Sequence, residues 1–224
     1  MTIELDVNRF AVWGLAPNTR KIALLIAERM PHLKFAVWDL SDFMPGFHNV
    51  RRNLIFIETE KIALDEVRRV IETNPELGNY EIFLGELKPK NVGRTTGSPA
   101  NDNEDFRDAI VIIARKDFIE TANWKGNIHM PSIERRVVDL LAYSLRDWLP
   151  ISVDEAIDAF IWAVKQQDLK INSLQRYATR RYLGWALGII LAKLKEKGEI
   201  EKIDSRYIAS GQRNLHFIKR VEEL

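Results

Sequence analysis

The chain reads as an α/β protein: an N-terminal mixed α/β sheet domain, then a mostly helical C-terminal part with a wing-like β-hairpin. Three observations predict this. Over residues 1–126, short apolar runs alternate with segments of helical spacing, the order of an α/β layer. NLIFIETEK and AIVIIA carry continuous apolar runs, the mark of strands covered on both faces. After Trp124-Lys125-Gly126, long amphipathic helices take over.

The elements follow in order. RFAVWG (Arg9 to Gly14) reads as a short strand. Pro17-Asn18-Thr19 reads as a helix cap, and Ile22, Leu25, Ile26 and Met30 follow at helical spacing until Pro31. KFAVWDL (Lys34 to Leu40) is a strand, and Pro45-Gly46 a turn. NLIFIETEK (Asn53 to Lys61) is an interior strand whose acidic end surfaces. ALDEVRRVIE (Ala63 to Glu72) places Leu64, Val67, Val70 and Ile71 on one helix face, and YEIFLGEL (Tyr80 to Leu87) is a further strand. Lys88 to Asp105 has almost no apolar residues and reads as a long mobile loop. AIVIIA (Ala109 to Ala114) is the most hydrophobic strand and is expected at the sheet centre.

The helical region, residues 127–224, opens with MPSIERRVVDLLAYSL. Pro131 and Ser132 stand at its start, Glu134 lies in its first turn, and Ile133, Val137, Leu140 and Leu141 form its apolar stripe. In ISVDEAIDAFIWAVKQQ, Ser152 and Glu155 have the spacing of a capping box. INSLQRYATRR is a short helix with a basic end, and YLGWALGIILAKLKEKG a longer one closed by Gly198. From residue 151 these three helices, with strands at Glu199–Tyr207 and Leu215–Val221, match the order of a winged helix.

Composition narrows the chemistry. With 224 residues the chain can bury a substantial core. It has no cysteine, which excludes disulfides and thiolate metal sites and fits a cytoplasmic location. MTIELDVNRF has neither the basic nor the apolar region of a secretion signal, so none is expected. The longest apolar stretch, Leu183 to Leu194, is shorter than the ~20 residues a bilayer requires. Net charge is +1 but uneven: from Lys165 onward, thirteen Lys and Arg face seven Asp and Glu, leaving +6 there and −5 before it. Such a basic segment meets nucleic acid, an acidic partner, or only water.

Glu58 and Glu60 share a strand face by their spacing and are the candidate Mg²⁺ pair of a nucleotidyltransferase or nuclease-like enzyme. The pattern is incomplete. The upstream turn is Pro45-Gly46-Phe47 rather than Gly-Ser, and Lys61 stands one residue from Glu60, the wrong offset for a nuclease. His32, His48, His129 and His216 are not at metal-ligand spacing, and no phosphate loop or nucleophile elbow occurs. No cofactor is expected. Arg180, Arg181, Arg206, Arg213, Lys219 and Arg220 are the candidate nucleic-acid contacts, although the last helix is too apolar around Trp185 to Leu191 for base reading.

Several tracts together resemble a known family. HMPSIERRVVDLLAY resembles the "P-(S/T)-x-E-(R/K)-x-x-V-D-L-L" helix of the AbiEi-type antitoxin-like proteins. ISVDEAIDAFIWAVKQQDLKINSLQRYATRR resembles the two helices that follow it there, ending in "Y-A-x-R-R". MPHLKFAVWDLSDF and IFIETEK resemble earlier segments of that family. The resemblance covers roughly residues 8 to 185, and order and spacing carry it. It implies an antitoxin-like regulator of a toxin–antitoxin and phage-defence system, whose partner is a nucleotidyltransferase toxin, a functional partner that need not be gripped in a stable complex. The family's N-terminal winged helix has no counterpart beyond RFAVWG, which resembles its last wing strand. Three readings therefore stand: a non-enzymatic antitoxin-like regulator with DNA contact through its basic tail, an Mg-dependent enzyme using Glu58 and Glu60, and a winged-helix DNA-binding protein.

Overall fold

The computed structural model describes residues 15–41, 43, 53–77, 80–84, 108–115, 118, 121–145, 152–166, 169–198 and 221. These fall into two compact units, a sheet unit ending at Pro131 and a helical unit beginning at Ser132. The fold is mixed α/β.

In the sheet unit, helix α1 (Pro17–Arg29) leads into strand β1 (Phe35–Asp39) and strand β2 (Leu54–Thr59). A 3-10 turn (Lys61–Ala63) opens helix α2 (Leu64–Glu72), followed by β3 (Glu81–Leu84) and β4 (Ala109–Ala114). β5 (Thr121–Lys125) and β6 (Ile128–Pro131) close the unit as a hairpin. The six strands form one mixed sheet in the order β3-β4-β2-β1-β6-β5. β4 lies parallel to both β3 and β2, β1 is antiparallel to β2 and parallel to β6, and β5 returns antiparallel.

Strand alternation sorts the side chains. Phe35, Val37, Ile55, Ile57, Ile110, Ile112, Ile128 and Met130 share one cluster with Ile22 and Ile26 of α1 and Val67 and Ile71 of α2. Each fully buried Ile or Phe of this kind stabilises the fold by roughly 1.5–3 kcal/mol. The opposite face carries Trp38, Phe56 and Glu58, all buried. Trp38 and Phe56 are register partners, and their rings stack with centroids 4.0 Å apart. β2 is buried along its whole length, as its continuous apolar run predicts.

Four expectations are corrected. β4 is second from the edge, and β2 and β1 hold the centre. β2 stops at Thr59 while still buried, so the chain surfaces at Glu60 rather than Glu58. α1 is capped by Ala16, which has no side-chain acceptor to offer, and starts at Pro17, while the Ala16 N–H donates to Asp39 Oδ2 at 3.2 Å. The boundary after Gly126 falls at a hairpin turn, since Gly126 adopts φ 57° and returns β6 to the sheet. Asn127 fastens that turn by donating its amide to the carbonyls of Met30 and Leu33, at 3.0 and 2.5 Å.

In the helical unit, α3 (Ile133–Leu145) packs against α4 (Val153–Gln166) and α5 (Ile171–Arg180), and α5 packs against α6 (Gly184–Glu196). The predicted capping box forms at α4: the Glu155 N–H donates to Ser152 Oγ at 3.1 Å, and the Ser152 N–H to Glu155 Oε2 at 3.3 Å. α3 is buried all round from Glu134 to Ser144, charged residues included, which a one-sided stripe does not predict. RFAVWG, the loop 88–105 and nearly all of both wing strands lie outside the described residues. Val221, where the second wing strand was expected to end, is helical and buried.

Candidate functional site

The Glu58–Glu60 pair comes first. β2 holds Glu58 opposite Ala36 of β1 and Ile113 of β4. Its side chain is wholly buried. Trp38 donates its indole N–H to Oε1 at 3.0 Å, and Arg115, at the end of β4, places Nε 3.4 Å from Oε2. The Arg115 backbone N–H also donates to the Thr59 carbonyl at 2.8 Å, which fixes where that arginine departs. A buried carboxylate is tolerated when a cation and a donor compensate it, and both are present. Glu60 is exposed beyond the strand end. The two carboxylates therefore do not form one metal pair, which corrects the expectation drawn from their spacing. Among the described residues, no group of three His, Asp or Glu is placed to hold a metal ion.

The second constellation lies in the helical unit and was given no role from sequence. Asp139 is buried in the middle of α3. Tyr177 of α5 donates its hydroxyl to the carboxylate at 3.0–3.1 Å. Arg181, just past α5, places Nε 2.9 Å from Oδ1, and Arg135, one turn earlier on α3, lies 3.5 Å from Oδ2. Both guanidiniums also stand over rings, Arg135 over Tyr177 at 5.8 Å and Arg181 over Tyr143 at 5.7 Å. Glu134, a residue away from Arg135, accepts the Lys170 N–H at 2.9 Å, where α5 begins. α3 thus holds α5 at both ends through its own acids. The signal in the sequence was the i, i+4 spacing of Arg135 and Asp139, which reads as a surface pair until burial is known.

The candidate nucleic-acid residues separate. Arg180 is exposed. The Arg181 side chain is only 18% exposed and serves Asp139. Arg206, Arg213, Lys219 and Arg220 lie outside the described residues. α6 buries Ala186, Leu187, Ile190, Leu191 and Leu194, so it serves as a packing helix, as its apolar sequence indicated. α5 contains no acidic residue, alone among the described helices, and Arg180 stands at its C-terminal end.

Comparison with curated proteins and with solved structures finds no match. Residues 13–197 match the model of DUF6577, described as a family of unknown function. That span takes in every described element of both units, and the chain belongs to the DUF6577 family.

Proposed function

We propose that the protein is a non-enzymatic, antitoxin-like regulator of the AbiEi type, which opposes a nucleotidyltransferase toxin and contacts DNA through its basic C-terminal segment. The observation that carries this reading is the junction at Asp139. Two of the tracts that carry the resemblance, ERRVVDLL and YATRR, meet there: Arg135 and Asp139 come from the first, Tyr177 and Arg181 from the second. A buried polar network of this kind rigidifies the core, so the two tracts act as one structural body. The enclosed position of Glu58, with Trp38 donating to Oε1 and Arg115 paired with Oε2, supports the same reading over the Mg-dependent enzyme.

The test is co-expression with a nucleotidyltransferase encoded beside this gene. Expression of that enzyme alone is expected to arrest growth, and the present chain to restore it. A neighbourhood without such an enzyme, or arrest that the chain leaves unchanged, overturns the reading.

A further inference from the structure

The turn that joins α5 to α6 contains a residue whose backbone and exposure both run against folding economy. The Leu183 N–H donates to the Ala178 carbonyl at 2.8 Å, and the Tyr182 N–H donates to the Thr179 carbonyl at 3.0 Å. These two bonds are those of a Schellman motif, in which the residue after the cap takes the left-handed conformation and is ordinarily glycine. Here it is Tyr182, at φ 60°, the only described non-glycine residue with positive φ. A bulky side chain in that conformation is disfavoured. Leu183, at the position that usually supplies the motif's apolar contact, is buried, so Tyr182 is not needed there. The ring itself is 84% exposed. Neither packing nor backbone preference therefore accounts for a tyrosine at this position.

Its surroundings indicate what the ring would meet. Arg180 is exposed two residues earlier, and α5, which leads into the turn, carries no acidic residue. An exposed tyrosine two residues from an exposed arginine, with the Asp139 carboxylate at that helix end buried and held by Arg181, has the chemistry of a single-strand contact, with a base stacked on the ring and a phosphate on the guanidinium. Duplex DNA keeps its bases stacked inside and offers the ring no face. We infer that Tyr182 and Arg180 form a contact for an unpaired stretch of nucleic acid, with Tyr182 as the stacking residue. This deepens the nucleic-acid half of the function proposed above and does not rest on the toxin.

The experiment measures binding of the full chain to a labelled oligothymidine and to a duplex of equal length, by fluorescence anisotropy over a range of salt, with thermal melts of each variant. Tyr182→Gly is expected to melt higher than wild type, because glycine relieves the left-handed turn, and yet to bind the single strand roughly fivefold to a hundredfold more weakly. Tyr182→Phe is expected to bind as wild type, since the ring remains. Arg180→Gln is expected to lower the salt slope by about 0.7. Wild-type binding that Tyr182→Gly leaves unchanged overturns the inference while the nucleic-acid reading survives. A preference for duplex over single strand overturns it likewise. Absence of any salt-dependent binding removes both, and leaves toxin antagonism to its own test.

Discussion

At the scale of single residues, two carboxylates, Glu58 and Asp139, are buried against arginines. Asp139 compensates two guanidiniums, so Asp139→Asn leaves buried positive charge with less to answer it. Arg135 is buried and Arg181 is partly open to solvent, so the loss is expected at about 3 kcal/mol, read as a fall in the urea midpoint. Tyr177→Phe removes one bond to a charged group and should cost about 1.5 kcal/mol. Equal stability of both variants to wild type would contradict the assignment. His129 gives a pH dependence. Burial first, then the nearby Lys34 charge, holds its imidazole below the ordinary value. The folded state therefore takes up a proton less readily than the unfolded chain. The His129 contribution is fully present above about pH 6.5, and stability falls as pH drops below it, through the folded value. His129→Gln should flatten the stability profile in that window, and a profile that keeps its slope would show that other groups carry it. Sequence showed that Glu58 and Asp139 exist and what spacing they have. Arg135 lies within one helical turn of Asp139, but the burial of both acids, Arg115 beside Glu58 and Arg181 beside Asp139 come from segments distant along the chain, which no local pattern reports.

At the scale of elements, legibility follows how local the cause is. The α4 capping box was readable because its two bonds lie within four residues. β2 and β4 were readable from their apolar runs, whereas their rank in the sheet depends on which strands pair, a non-local choice. The β5–β6 hairpin was missed. Its signals were the Gly126-Asn127 pair and the polar–apolar alternation of TANWK, but that run is only five residues long and its register is irregular at Asn123–Lys125. Gly126→Ala should destabilise by about 1 kcal/mol, since φ 57° there suits only glycine well, although a Cβ would meet no neighbour. On α5, the Gln175 amide is 1% exposed, with no hydrogen-bond partner on its nitrogen or its oxygen. Gln175→Met keeps the volume and removes the unsatisfied groups, so it should raise stability by about 1 kcal/mol. A lower melting temperature for that variant would mean that the amide is engaged in solution.

At the scale of the whole molecule, the sequence announced a sheet unit followed by a helical unit, and five residues separate the expected boundary from the observed one between Pro131 and Ser132. The change of hydrophobic period made that division legible. The basic segment was legible as charge alone: of its arginines, Arg181 serves the interior and Arg180 the surface, a distinction that depends on where α5 ends. The same distinction applies at β2, where Glu58 is enclosed and Glu60 stands in solvent. Glu60→Gln therefore alters an exposed side chain and is expected to leave the melting temperature unchanged. The most direct measurement of the central claim is colony formation in cells expressing the neighbouring nucleotidyltransferase together with either wild type or Glu60→Gln. The regulator account predicts that both restore growth to the same extent. Failure of wild type to restore growth, or its loss on replacing Glu60 in a folded protein, contradicts it.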